Sequence, residues 1–520
     1  MVSDNGLIRI VARLMVVLSV CVAVSCSDTY EVNGGSGMED FSPLRAKKAQ
    51  VSSSSTGVEL LGLGVELDPH FLSQNVTRGD GATELDWKRT VVKRCRNIGV
   101  DRYRVMVLPN WWEPYNDDDN PSSYNWDAFT FENEEMQSLY AVLDLAEETG
   151  ADVTLVLWGC HIAANNISLG NLGRHFLADD GSNWVTGTND AQELAENFTA
   201  LFKYLKETKG YTCVKELTLY NEPDGNTTSF PNYVRDCGAL HKKLQTEGLR
   251  DAVRLNLSDN IDIDRAWLVN SANQLKNEAD LFNSHTYIFG YDTSNSAIMD
   301  WEAQNVKAAR SAGKTHFVGE FGSNQTMGAT RQKDINTYER GVLMSRLVVN
   351  FLNAGAVGAS YWSLIDQYYL RYEAYAQMQQ LGMWMYKQNA YQPADLGGLK
   401  GDYVCRPQYY AYATLMRFIQ KGSKVYPIQL NEDLVAATAV CAASGEWTYV
   451  FANGSNEDKN YFLKNEAKRG MDSCDLYLYT KVNLPSDDRL LEPVQTLYPG
   501  DKGFGIYVPA NSVLVLTQIK

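Results

Sequence analysis

The chain has 520 residues and nine cysteines, and no two of the cysteines form a CxxC pair. That leaves little support for a zinc ribbon or a thioredoxin-type redox site. No apolar run approaches the ~20 residues needed to cross a bilayer core. Basic residues are the minority, 47 against 63 acidic, for a formal charge of −16. An acidic chain repels polyphosphate, so nucleic acid is excluded as the expected partner. No Gly-rich phosphate turn follows an early strand, which argues against a doubly wound nucleotide-binding sheet. There is no internal repeat. At 44% hydrophobic and 21% charged residues, the chain is neither disordered, collagenous nor a disulfide miniprotein. Aromatic residues are 11%. Rings of this kind stack on sugar faces, but large proteins also simply bury them.

The N-terminus reads as an address. Arg9 and Arg13 precede the eleven-residue apolar run Leu14 to Val24. That run fits the ~7–15-residue apolar region of a secretory signal. It ends at Ala23-Val24-Ser25-Cys26, which is similar to a bacterial lipobox and makes Cys26 the expected lipidation site. Residues 1–25 are thus an expected signal peptide of lipoprotein type. Residues 26–57, polar and Gly/Ser-rich, are an expected flexible tether. The expectation is a secreted, lipid-anchored protein at a bacterial cell surface or in the periplasm, meeting the membrane through the anchor only. Seven cysteines then remain, and Cys441 with Cys474 is a candidate disulfide.

From residue 58 to about 422, β-type runs alternate with amphipathic helical runs. The strand candidates lie at 58–68, 101–108, 152–160, 214–222, 253–260, 279–287, 315–323 and 358–366. Near-continuous apolar strands separated by helices imply a parallel sheet. Eight such units predict an α/β fold, a (β/α)8 TIM barrel over 58–422. Long loops follow strands two, three and eight, at the face where such barrels build their sites. Residues 423–520 change to β-type runs between turns and predict a small all-β sandwich, antiparallel in its pairing. No Pro- or Ser-rich linker precedes it, which predicts rigid docking of the two units.

Two segments carry chemistry. LTLYNEP at 217–223 and FVGEFG at 317–322 each place a glutamate where an apolar strand ends. By strand order, Glu222 and Glu320 project from one rim of the barrel. Two carboxylates across a cleft suit glycoside hydrolysis, one protonated to expel the leaving oxygen and one ionised to attack. Burial and mutual repulsion separate their pKa values, so both forms can coexist near neutral pH.

With these motifs in view, residues 58–422 resemble the clan A retaining glycoside hydrolases, closest to the cellulase- and mannanase-like family 5. The closely joined sandwich is similar to those of families 30 and 39. The resemblance implies Glu222, within Asn221-Glu222-Pro223, as acid/base, and Glu320 as nucleophile. It implies Arg104 on strand two as the residue that steadies Glu320 and lowers its pKa. It matches the family's His-x-Tyr to His285 and Tyr287, and its strand-eight tryptophan to Trp362, the floor under the sugar. Asn221 would bond the substrate 2-hydroxyl, and Tyr287 would donate to Glu320. His161 after strand three would contact sugar hydroxyls or position the carboxylates. The mechanism requires no cofactor and no metal.

The implied function is double-displacement hydrolysis of a β-linked polysaccharide or oligosaccharide, with β-mannan or β-glucan favoured. A non-catalytic glycan-binding lipoprotein and a transglycosidase are the competing readings. Keeping both glutamates argues against the first, and sequence does not separate the second from hydrolysis. Trp111 and Trp112 either stack on distal sugars or pack as a lid. Asp117, Asp118 and Asp119 lack the spacing of a calcium loop.

Overall fold

The computed structural model describes residues 46–67, 69, 82–113, 120–157, 176–177, 183–184, 191–225, 228–261, 265–287, 293–323, 332, 334–368, 378–391, 396–468, 470–500 and 503–520. Cys26, Cys160, His161, Trp158 and Asp117 to Asp119 lie outside the described residues. Among those described, no helix is long and apolar enough to cross a membrane.

Eight strands close a barrel in chain order: Gly62–Glu66, Arg102–Val107, Asp152–Leu157, Val214–Thr218, Arg254–Ile261, Leu281–Thr286, Thr315–Phe321 and Gly358–Tyr361. Every neighbouring pair is parallel, including the closure of the eighth on the first. All eight predicted strands are present, each within its predicted window to one residue. They are buried on both faces, but the expected near-continuous apolar runs hold only in part, because Arg102, Arg104, Glu216, Asn256, Asn283 and His285 are buried on strands two, four, five and six. Tyr103 and Val105 face the helices, whereas Arg102 and Arg104 alternate into the barrel. Helices between the strands have legible ends. Asn133 caps Glu134–Thr149 by accepting from the Met136 N–H, and Gly150 ends it in the left-handed conformation at φ 70°, which costs glycine little.

The barrel interior is polar and layered. In the lower layer, Glu216 is fully buried between Arg102 and Arg254, and Thr154 and Asn256 donate to it at 3.0 Å each. Arg104 and the candidate site form the layer above.

The remaining strands form a nine-stranded sheet, ordered 495–497, 474–479, 512–517, 447–453, 435–441, 424–429, 47–51, 459–465 and 504–508. It folds over a single apolar core that includes Val51, Leu463 and Ile506 on one side and Phe451, Leu476 and Leu514 on the other. Two details correct the sequence reading. Lys47–Val51, placed in the expected tether, is a strand of this sandwich. It runs parallel to Lys459–Asn465, so the sheet is not wholly antiparallel. The physical reason is its alternation: Ala49 and Val51 are buried while Lys47 and Lys48 face out, a pattern that the flanking Ser and Lys residues obscure. Cys441 and Cys474 are both free thiols, so the candidate disulfide is absent.

Barrel and sandwich share packing. Helix Glu339–Ala354 lies against strands 435–441 and 447–453. Tyr338 and Tyr479 stack at 4.6 Å, and each hydroxyl donates to the other's carbonyl, at 3.1 and 2.7 Å. Asn353 donates to the Ala437 carbonyl at 2.9 Å.

Candidate active site

The upper barrel layer gathers most of the residues singled out in the sequence. Glu222 follows the fourth strand, where Tyr220 and Glu222 adopt positive φ, 71° and 48°. Non-glycine residues adopt this conformation at a cost, and such residues cluster at functional sites. The Glu222 N–H bonds the Asp259 carbonyl at 3.0 Å, which fixes the turn to the next strand. Its side chain is about 30% exposed, whereas that of Glu320 is 6% exposed. A carboxylate oxygen of each lies within 4.8 Å of the other and of a ring nitrogen of His285.

Arg104 is the hub. Its Nη1 lies 2.6 Å from Glu320 Oε1 and 2.9 Å from Glu66 Oε2. Its Nη2 donates to Asp259 Oδ2 at 2.7 Å and to Asn221 Oδ1 at 2.8 Å. Tyr287 donates to Glu320 Oε2 at 2.7 Å, as expected. His285 is buried, with Nδ1 2.9 Å from Glu222 Oε1 and Nε2 3.1 Å from Asp259 Oδ1. Trp362 packs with Met106, Val156 and Leu381 beside Tyr287, which places it next to the nucleophile candidate. Trp111 and Trp112 are core residues, and Trp112 Nε1 donates to the Asn197 carbonyl at 2.9 Å.

The electrostatics differ from the expectation in one respect. Burial pushes the Glu320 carboxyl up, while His285 and Arg104 pull it down. Arg104 therefore acts in the expected sense, but the net direction is upward. Burial also opposes a charge on His285, yet Glu320 and Asp259 outweigh it and raise the ring well above its ordinary value. Burial likewise works against the Asp259 carboxylate, but Arg104 and His285 hold it low. Glu222, His285 and Glu320 could geometrically face one cation. Arg104, however, already holds a positive charge 2.6 Å from Glu320, and a metal ion there would be repelled by it.

Sequence reasoning missed Glu66 and Asp259. Asp259 is aimed inward by a bulge: Ser258 pairs with Asn283 and Asn260 with Ser284, so Asp259 is the extra residue. A second irregularity separates Val318 from Glu320, with Gly319 between them. A Cβ at Gly319 would sit 2.4 Å from Asn283 Oδ1, so the glycine in GEFG is a packing requirement. Bulges beside active sites re-aim side chains, and strict alternation does not foresee them. For Glu66, the one available signal was an acidic residue at the end of an otherwise apolar first strand.

A second constellation, Ser284, His316 and Glu302, has triad-like contacts of 3.0 and 2.6 Å. All three are fully buried, so they brace strands six and seven against helix Asn295–Ser311 and meet no substrate.

No protein-family model matches the sequence, and no curated protein matches it. Solved structures do. A conserved exported protein from Bacteroides fragilis superposes with TM-score 0.63 at 12% identity, covering 91% of this chain and 100% of that one. A family 30 endoxylanase from Clostridium papyrosolvens gives 0.60 at 14%, covering 91% and 100%. An α-L-arabinofuranosidase from Thermotoga maritima gives 0.58 at 12%, covering 91% and 99%. The shared coverage spans barrel and sandwich together, so this chain has the two-part fold of these solved structures.

Proposed function

We propose that this protein is a retaining β-glycoside hydrolase that acts by double displacement. The observation that carries the reading is the close pair Glu222 and Glu320 at the ends of strands four and seven, with His285 against both. Glu320 attacks the anomeric carbon while Glu222 gives its proton to the leaving oxygen. Glu222 then takes a proton from water, and that water releases the sugar from Glu320. Asn221, oriented by Arg104, lies beside the pair, where a bond to the 2-hydroxyl would strengthen in the transition state. Similarity in fold to a family 30 endoxylanase supports the same class.

The substrate is a β-linked polysaccharide or oligosaccharide, with β-mannan and β-glucan favoured. The test is product release from β-mannan, β-glucan, β-1,6-glucan, xylan and galactan by wild type, Glu222→Gln and Glu320→Gln. Release that both variants lose supports the assignment and names the substrate. Binding without release by wild type supports a glycan-binding lipoprotein instead. Added acceptor sugars separate hydrolysis from transglycosylation.

The sequence also supports export and anchoring through Cys26. Cys26→Ser should move the protein from the membrane fraction to the soluble fraction. An unchanged membrane fraction would remove the anchor from the proposal.

A further inference from the structure

Asp259 is the acidic residue that strand alternation passes over and that the geometry makes central. It is 1% exposed. One oxygen accepts from Arg104 and the other faces His285, at 2.7 and 3.1 Å. Those two partners touch the reacting pair. Arg104 Nη1 is 2.6 Å from Glu320, and His285 Nδ1 is 2.9 Å from Glu222 and 3.5 Å from Glu320. The bulge that aims Asp259 inward holds Ser258 and Asp259 at φ 84° and 47°.

We propose that Asp259 is a positioning residue for the glycosidase reaction, fixing Arg104 with one carboxylate oxygen and His285 with the other. The inference rests on Glu222 and Glu320 being the reacting pair. Nε2 faces the Asp259 carboxylate, and Nδ1 faces an oxygen of Glu222 that accepts whether Glu222 is ionised or holds its proton on the other oxygen, so both ring nitrogens are placed to donate. The groups facing the ring are Glu222 after strand four, Asp259 on strand five, Glu320 on strand seven and Arg104 on strand two, and the half-buried Asp224 after strand four adds a further acidic group that feels the ring's charge. Arg104 Nη2, 3.5 Å from Nε2, opposes a ring charge, and the carboxylates oppose Arg104.

The consequence for the reaction is a charge balance. In the first step the Glu320 carboxylate forms the glycosyl bond, the glycosidic bond breaks, and the Glu222 proton leaves on the departing alcohol. The negative charge thereby moves from Glu320 to Glu222. A cationic His285 touches both residues and so neutralises the charge before and after the transfer. Asp259 keeps the ring in that form from the far side.

The test uses the full chain with ¹⁵N-labelled histidine, with His285 assigned through His285→Gln. In wild type the ring is expected to be doubly protonated at pH 7, and in Asp259→Asn it should be neutral. On an aryl glycoside, kcat of Asp259→Asn should fall about tenfold or more while KM changes less than about twofold. The alkaline limb of its pH profile should move down by about one unit. Glu216→Gln, at a buried carboxylate in the lower layer, is the structural control: it should lower Tm and leave the ring spectrum and pH profile unmoved. A neutral ring in wild type at pH 7 overturns the proposal, even if Asp259→Asn does not fold. So does an Asp259→Asn that behaves as the control. If wild type cleaves no glycan, the ring titration still judges Asp259, and the hydrolase reading fails separately.

Discussion

Glu222 and Glu320 present carboxylate oxygens within 4.8 Å of one another across the barrel mouth. Retaining glycosidases hold their carboxyl groups ~5–5.5 Å apart, and inverting ones ~6.5–9.5 Å. The product sugar should therefore appear first in the anomeric configuration of the substrate, as read by NMR during early turnover. Glu222→Gln should lose about 100- to 10,000-fold on a glycan, and much less on a dinitrophenyl glycoside, whose leaving group needs no proton. Glu320→Gln should lose both. Inversion would place a water between the two groups and assign Glu320 a different role.

The acidity of the site yields a second expectation. Burial lifts the Glu320 carboxyl above its ordinary 4.5, against the pull of His285 and Arg104. The nucleophile must be ionised, so the acidic limb of kcat/KM should lie above pH 4.5. Tyr287→Phe removes a donor to Glu320 and should move that limb up by about 0.5–1 unit. A limb below pH 4.5 would mean that the two cations outweigh burial.

Glu216 offers a test of stability. Burial works against its charge, but Arg102 and Arg254 hold the carboxyl below 4.5. A depressed folded-state value stabilises the fold above pH 4.5 and loses that contribution as pH falls through the folded value. Glu216→Gln leaves Arg102 without its close carboxylate and should cost about 3–5 kcal/mol at pH 7. In urea unfolding, the gap to wild type should narrow on acidification below pH 4.5. A gap independent of pH would assign the loss to packing alone.

The contact between the two units makes a fourth prediction. A Cβ at Gly341 would lie 2.4 Å from the Tyr479 hydroxyl oxygen. That ring is stacked and hydrogen-bonded to Tyr338, so it has no easy retreat. Gly341→Ala should destabilise by about 1–3 kcal/mol. Because side chains of both units enter one apolar cluster, calorimetry should show a single transition moving down, and two separated transitions would contradict the shared core.

Much of this was legible in the sequence, for identifiable reasons. The barrel strands are buried on both faces, so strands such as Gly62–Glu66 and Asp152–Leu157 read as largely apolar stretches with a polar residue at one end. Glu222 and Glu320 stand where such stretches stop, and Arg104 breaks the apolar run of its own strand. Asp259 was hidden because a bulge, and not alternation, turns it inward. Glu66 was hidden because it simply closes the first strand. Lys47–Val51 was hidden because five residues with two exposed lysines carry little periodicity, and their partners lie hundreds of residues away.

That short strand changes how the two units relate. It sits between Lys424–Gln429 and Lys459–Asn465 in the sandwich sheet, on the other side of the whole barrel in sequence. Topologically, the barrel is an insertion in the sandwich. Residues 423–520 made alone would leave two strand edges facing a missing neighbour, an arrangement that invites aggregation. During synthesis, the segment at 47–51 must wait until the whole barrel has been made and strands 424–429 and 459–465 follow before it can pair. The sandwich is thus a clasp closed by both flanks of the barrel, and closing it ties the ends of the catalytic unit together.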